Sequence, residues 1–161
     1  MRGAALCVLA CLAGAPAYAA DQPAMVVFGA GVFDLFGDTK RAGDLRLAVR
    51  LPSAGLNVTP FFGLEGTTDG GFLALTGMAA DFEVQPNLFI GGTGGLGYFR
   101  AGSGADLGHE LEFRATVEVT WRLPGGNRVG VALGHISNFW RGQTNPGAET
   151  LGLIYLVPLE P

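Results

Sequence analysis

A histidine and a serine stand two residues apart near the end of a segment with alternating polarity, at His135 and Ser137. On a β-strand such residues share a face, with Cα atoms roughly 6.5–7 Å apart, so their side chains can approach each other. Glu149 follows, in phase with the apolar residues of the next alternating segment. In an antiparallel hairpin this position lies beside the end of the preceding strand, within reach of His135. A serine, a histidine and a carboxylate in contact are the groups that acyl transfer through a serine nucleophile requires.

The same residues also have simpler interpretations, and the pattern alone leaves them open. A His-x-Ser sequence is common, Ser137 and Asn138 can begin a turn, and Glu149 can be a carboxylate at the end of a loop. The second histidine, His109, lies in a glycine-rich segment, where we expect it to be solvated. No group of His, Asp and Glu has the spacing of metal ligands, so the sequence predicts neither a metal nor another cofactor.

The elements that must position these residues are strands, because apolar residues recur with a period of two. The most regular segment is 110–123, where apolar residues from Leu111 to Trp121 alternate with charged residues and threonines. Successive side chains of a strand point to opposite faces, so each such segment has one apolar and one polar face. Counting these segments predicts eight strands, at residues 25–36, 42–51, 56–65, 71–84, 88–99, 110–123, 128–138 and 149–158.

Length, composition and connections favour a barrel that crosses a membrane. The 161 residues suffice for one barrel, and they are 48% apolar and only 15% charged, with a mean hydropathy of +0.34. Several predicted strands are long enough for a tilted membrane-spanning strand. The connections after even-numbered strands are predicted to be tight and those after odd-numbered strands mostly longer, as in outer-membrane barrels. We therefore predict an all-β fold, an eight-stranded antiparallel up-and-down transmembrane β-barrel.

Two other classes of protein can be weighed against this prediction. A soluble lipocalin-like lipid carrier has the same alternation, with its apolar face inside and the charges of the sixth strand in water. A membrane barrel instead places these charges in the lumen, where opposite charges can pair. A nucleic-acid-binding protein is excluded, because the net charge is −4 and no basic run is present to displace phosphate counterions.

The N-terminal segment has the pattern of a cleaved secretory signal peptide. Arg2 precedes an apolar run at 4–15, and the small residues of a cleavage site follow at Ala17 and Ala19. The apolar run is too short to cross about 30 Å of hydrocarbon as an anchor. Both cysteines fall inside this leader, so disulfides and thiolate chemistry are not expected in the mature chain. We expect an exported protein with a signal peptide at 1–19 and a single barrel domain at 20–161.

The segment Gly134-His135-Ile136-Ser137-Asn138, followed by Asn145-Pro146-Gly147-Ala148-Glu149, resembles the active-site hairpin of the lipid A 3-O-deacylase (PagL) family. Members of that family are small eight-stranded outer-membrane barrels with a Ser-His-Glu triad on the lipid-facing wall. The resemblance implies three catalytic residues, His135, Ser137 and Glu149. It also implies that Asn145 and Asn138 belong to the oxyanion and substrate-positioning region.

The same resemblance implies a function, a location and a partner. The function is that of a serine esterase that removes the 3-hydroxyacyl chain from the 3-position of lipid A, without a cofactor. The location is the outer membrane of a Gram-negative cell, where lipopolysaccharide in the outer leaflet is the substrate. Members of the family can form homodimers.

Two alternative functions remain open for a barrel of this kind. One is a non-catalytic small outer-membrane barrel with a structural or adhesive role. The other is an esterase similar to the outer-membrane phospholipases, whose barrels have more strands and longer chains. A contact between His135 and Glu149, with Ser137 on the outer face, is the observation that distinguishes an enzyme from a non-catalytic barrel.

Overall fold

The computed structural model describes residues 22–37, 41–53 and 57–159 as a closed barrel in which neighbouring strands are antiparallel. The strands are β1 (Met25–Phe33), β2 (Ala42–Arg50), β3 (Val58–Thr67), β4 (Phe72–Gln85), β5 (Leu88–Arg100), β6 (Leu111–Arg122), β7 (Arg128–Ser137) and β8 (Ala148–Pro158). Consecutive strands pair, and β1 closes the ring against β8. The predicted eight-stranded up-and-down barrel is therefore confirmed. Within the described ranges no helix is long and apolar enough to span a bilayer, and the predicted leader at 1–19 lies outside them.

The alternating pattern folds with its charged face inward and its apolar face outward. On β6, Glu112, Arg114 and Glu118 are buried, whereas Val117 and Trp121 are exposed on the outer wall. A soluble lipocalin-like barrel needs the opposite arrangement, because its apolar face lines the interior. The outer wall therefore has the apolar surface of a barrel surrounded by lipid.

Arginines and carboxylates that point into the lumen form ion pairs across the barrel. Arg50 on β2 contacts Glu118 on β6 at 2.6 Å and Asp81 on β4 at 3.1 Å. Arg128 on β7 also reaches Asp81, at 3.4 Å, and its guanidinium lies 3.6 Å from the centroid of the Phe89 ring. Because β2 and β6 do not pair in the sheet, these contacts join separate walls of the barrel.

A second group of charges surrounds Glu65, which is buried on β3. Its carboxylate accepts a hydrogen bond from Arg46 Nε at 3.0 Å and contacts the guanidinium of Arg114. Arg46 also pairs with Asp44 at 3.2 Å. Glu65 thus offsets the charge of two arginines that have little access to water, and its loss would leave buried cations short of a counter-charge.

The connections differ in length between the two ends of the barrel, but less regularly than predicted. Three long connections lie at one end, which we call the loop end: 34–41, 101–110 and 138–147. The fourth connection at the loop end, 68–71, is short, because β3 continues to Thr67 and the Thr67 N–H bonds to the Gly71 carbonyl at 2.9 Å. At the opposite end, the connection at 51–57 is longer than predicted.

The connection between β5 and β6 packs against the barrel at the loop end. Leu107 in this connection is buried and belongs to one apolar cluster with Phe33, Phe99, Ile136 and Ala148. Ile136 and Ala148 lie directly opposite each other where β7 and β8 meet the loop end. The packing of Leu107 therefore stabilises the part of the barrel that carries the candidate site.

The buried charges give a stability prediction for Glu65→Gln. We expect this change to lower the free energy of unfolding by about 3–5 kcal/mol, because Arg46 and Arg114 stay buried without a full counter-charge. Urea unfolding of the purified barrel in lipid vesicles, followed by tryptophan fluorescence, measures the loss. Glu83→Gln is the matched control, since the Glu83 and Arg122 side chains are 40% and 35% exposed and such pairs contribute at most about 1 kcal/mol. Equal losses in the two variants would contradict the expectation.

Candidate active site

His135 and Glu149 lie directly opposite each other in the antiparallel pairing of β7 with β8. The distance from His135 Nδ1 to Glu149 Oε1 is 3.3 Å. Both side chains are on the outer wall, where 55% of the histidine side chain and 36% of the glutamate side chain are exposed. The two groups that the sequence pattern placed within reach of each other are thus in contact, and their catalytic roles stay a prediction.

Ser137 is the last residue of β7 and shares the outward face with His135. It is half-buried and lies directly opposite Phe113 on β6. Because His135 Nδ1 faces the carboxylate, Nε2 is the nitrogen left to accept a proton from the serine hydroxyl. Among the described side chains no hydrogen bond joins Ser137 to His135. Such bonds are often long in free enzymes and shorten when substrate binds.

The site lies where the apolar outer wall meets the connections of the loop end. Leu133 and Leu151 form the next cross-strand pair on the same face as His135 and Glu149, and both leucines are exposed. On the other side of the site, the chain leaves β7 and enters the connection at 138–147. A lipid ester at this level would have its acyl chains beside the leucines and its polar part beside the connection.

The two asparagines of the connection have different environments. The Asn138 N–H donates to Asn145 Oδ1 at 3.0 Å, which orients the Asn145 amide. Asn138 itself is fully buried, and its Nδ2 donates to the carbonyls of Leu107 and Thr144 at 2.8 Å and 2.7 Å. The Asn138 side chain therefore ties the connection after β7 to the one after β5, whereas Asn145 is half-buried beside the site.

Gly147, immediately before β8, provides space for the imidazole of His135. A Cβ atom at this position would lie 3.0 Å from His135 Cε1 and 3.1 Å from the Ile136 carbonyl oxygen. The φ angle of Gly147 is +67°, a left-handed conformation that residues with side chains rarely adopt. Glycine carries no reactive group, so a pattern of reactive residues does not predict its role, although Pro146-Gly147 is a recognisable turn signal.

A cleft of about 510 Å³ borders Glu149 at the loop end. Asp34 and Asp106, from the connections after β1 and β5, line it together with Phe36 and Leu107. This side of the site is therefore rich in carboxylates. No group of three or more His, Cys, Asp or Glu in the described part of the chain is arranged to hold a metal ion.

A comparison with protein families identifies the group of proteins to which this site belongs. The family model for lipid A 3-O-deacylase (PagL) matches residues 41–158, which run from β2 to β8 and include the whole candidate site. The chain belongs to the lipid A 3-O-deacylase family. This membership places the barrel among outer-membrane deacylases, in agreement with its apolar outer wall.

Solved structures share the fold of this member of the family. The crystal structure of the outer membrane enzyme PagL is 21% identical, with a TM-score of 0.60, and the match covers 84% of this chain and 99% of that one. A barrel from the de novo design of transmembrane β-barrels is 15% identical, with a TM-score of 0.59 and coverage of 86% and 100%. A second de novo designed protein, solved by NMR in solution, is 14% identical, with a TM-score of 0.54 and coverage of 88% and 97%. No curated protein matches the chain.

The contact at Gly147 gives a prediction for the rate of lipid A deacylation, the reaction of the family. If His135 is the base of this reaction, we expect Gly147→Ala to lower kcat by about tenfold, because the added methyl group displaces the imidazole by a few tenths of an ångström and a misplacement of about 1 Å costs about 100-fold. The kcat of the purified variant on lipid A in detergent measures this.

Gly125→Ala is the matched control for this substitution. Gly125 has a φ of +96°, further from the left-handed region than that of Gly147, so the backbone strain of an alanine is at least as large, but a Cβ atom there would have nothing within 4 Å. We expect the control to retain activity within about twofold of the unmodified protein. Equal losses in the two variants would show that backbone strain, and not the contact with the imidazole, is responsible.

Proposed function

We propose that this protein is a serine esterase that hydrolyses the ester-linked 3-hydroxyacyl chain at the 3-position of lipid A. The observation that carries the proposal is the contact of His135 with Glu149 on the lipid-facing wall. His135 is two residues from Ser137 in the chain, and the chain is a member of the lipid A 3-O-deacylase family. Ionisable residues that face lipid are costly and mark a functional site. A serine, a histidine and a carboxylate are the set that nucleophilic acyl transfer uses.

In the first half of the proposed reaction, Ser137 Oγ attacks the ester carbonyl carbon while His135 Nε2 takes the hydroxyl proton. The new bond produces a tetrahedral oxyanion, and Glu149 stabilises the imidazolium that forms at the same time. The oxyanion then collapses, the bond to the sugar oxygen breaks, and His135 gives its proton to that oxygen. This half ends with a free sugar hydroxyl and an acyl group on Ser137.

In the second half, water attacks the acyl carbon while His135 takes a proton from the water. The bond from the acyl carbon to Ser137 then breaks, and the proton returns to the serine oxygen. The product is a 3-hydroxy fatty acid. Water is the co-reactant of the cycle, and atoms and protons balance with these residues alone.

We propose that Asn145 and nearby backbone N–H groups stabilise the oxyanion by donating hydrogen bonds to it. The Asn145 Oδ1 accepts the bond from the Asn138 N–H, so its NH₂ group is the part of the amide that can donate to substrate. Donors held in place before the reaction stabilise developing negative charge without reorganisation. Asn138 is a positioning residue in this proposal, because its own amide is bonded to the carbonyls of Leu107 and Thr144.

The position of the site suits a substrate that is a component of the outer leaflet. Acyl chains can stay beside the exposed Leu133 and Leu151 while the ester reaches Ser137. Moving an acyl chain into water costs about 0.8 kcal/mol per CH₂ group, and a site that meets the lipid in the bilayer avoids this cost. In this arrangement the loop end faces the cell exterior, and residues 1–19 are removed as a signal peptide during export.

The proposal predicts how three alanine variants affect lipid A deacylation. Ser137→Ala and His135→Ala are expected to lower kcat by about 10⁶-fold, because each removes a group that takes part directly in bond making or proton transfer. Glu149→Ala is expected to cost less, about 10⁴-fold, since the carboxylate acts through the histidine. Mass spectrometry of purified lipid A incubated with each folded variant, following the loss of one 3-hydroxyacyl chain, measures the rates.

The same experiment separates this proposal from its alternatives. Unchanged lipid A after incubation with the folded, unmodified protein would support a non-catalytic barrel. Faster hydrolysis of a glycerophospholipid than of lipid A would support a phospholipase-like esterase. Deacylation that persists in Ser137→Ala would remove that serine from the mechanism.

A further inference from the structure

The chain reverses direction directly after Ser137 in a tight turn from Asn138 to Arg141. The Arg141 N–H donates to the Asn138 carbonyl at 3.1 Å, and the two central residues, Phe139 and Trp140, have φ angles of 52° and 59°. Positive φ at both central residues is the geometry of a type I′ turn, which glycine and asparagine normally occupy. Large aromatic residues in this conformation are uncommon and strained, and such strain is concentrated at functional sites.

The turn brings the charge of Arg141 next to Ser137. The guanidinium of Arg141 lies 5.7 Å from the centroid of the Phe113 ring, and Phe113 is the residue directly opposite Ser137 in the pairing of β6 with β7. The rings of Phe139 and Phe113 pack edge to face, with centroids 5.0 Å apart. A cation held over an aromatic face in this way has a preferred orientation. The turn thus holds the guanidinium of Arg141 on the side of Ser137 that faces β6.

Arg141 has no carboxylate partner in the described part of the chain. Its side chain is exposed, and none of the recorded ion pairs includes it. By contrast, the arginines in the lumen at positions 46, 50, 114 and 128 each contact at least one carboxylate. Arg141 is therefore available to bind an anion from outside the protein.

The charges around the site differ between its two sides. The cleft beside Glu149 is lined by the carboxylate of Asp106, which repels an anionic group. The side of Ser137 that faces β6 carries Arg141. An anionic glycolipid with its ester at Ser137 is therefore expected to place its negative group over β6 and not over the cleft. Trp140, which is 74% exposed beside the arginine, is a residue type typical of the level of lipid headgroups.

We propose that Arg141 binds a phosphate group of the lipid A disaccharide and so orients the substrate at Ser137. The inference rests on the proposed function, because lipid A is the phosphorylated lipid that the site would hydrolyse. A guanidinium offers two parallel N–H donors that match a phosphate, which a lone ammonium cannot do. Arg141 is a substrate-binding residue in this role and takes no part in bond breaking.

Kinetics of Arg141→Gln test the proposal with substrates that differ in phosphate. We expect KM for bisphosphorylated lipid A in detergent micelles to rise about tenfold, the usual effect of one charge-assisted contact. The kcat on a neutral nitrophenyl ester should stay within about twofold, because the triad is intact. Two monophosphoryl forms of lipid A, each lacking a different phosphate, identify the phosphate that Arg141 binds. On the form that lacks this phosphate, Arg141→Gln should leave KM unchanged.

Arg100→Gln is the matched control, because Arg100 is also exposed at the loop end but lies on β5. We expect its KM to equal that of the unmodified protein. An unchanged KM in Arg141→Gln, or an equal rise on both monophosphoryl forms, would overturn the assignment of Arg141.

Binding measured in the Ser137→Ala background separates failure of this inference from failure of the proposed function, because no turnover is needed there. About tenfold weaker binding of bisphosphorylated lipid A after adding Arg141→Gln supports the phosphate contact. Equal binding would overturn it even if the unmodified enzyme deacylates lipid A. If the unmodified protein binds lipid A in a phosphate-dependent way but does not deacylate it, the proposed esterase activity is contradicted and the phosphate contact is not.

Discussion

The hydrocarbon region of a bilayer offers the chain no partners for hydrogen bonds or charges, and most of this structure depends on that constraint. The closed ring of eight strands leaves no sheet edge exposed to hydrocarbon. The buried arginines and carboxylates of β2, β3, β4 and β6 then point inward, where Arg50 pairs with Asp81 and Glu118, and where Arg46 and Arg114 share Glu65. Ion pairs in the lumen consequently join separate walls beside the buried apolar clusters, and the outer wall is free to be apolar.

The same constraint explains why the polar residues on the outer wall indicate a functional site. A histidine and a glutamate beside exposed leucines on a lipid-facing wall are energetically unfavourable and therefore indicate a function. The pairing of β7 with β8 places His135 Nδ1 3.3 Å from Glu149 Oε1. Ser137 follows on the same face at the end of the strand, so a single hairpin supplies all three groups. The buried Asn138 then ties the connection within this hairpin to Leu107, which packs in the apolar cluster at the loop end.

The fold and the contact of His135 with Glu149 could be predicted because both depend on local periodicity and on one hairpin. The pairing of Arg50 with Glu118 could not, since it depends on the stagger of strands around the barrel, which no local pattern encodes. The turn at 139–140 was also beyond prediction, because large aromatic residues disfavour the left-handed conformation that both residues adopt. Without that turn, nothing in the sequence places the charge of an arginine beside Ser137.

The central claim is that His135, held by Glu149, makes Ser137 a nucleophile on the lipid-facing wall. A long-chain alkyl fluorophosphonate, which reacts with activated serines, tests it most directly when peptide mass spectrometry locates the adduct. We expect an adduct on Ser137 of the folded barrel, and we expect no adduct in His135→Ala although the serine is still present. An unlabelled Ser137, or equal labelling in His135→Ala, would contradict the account.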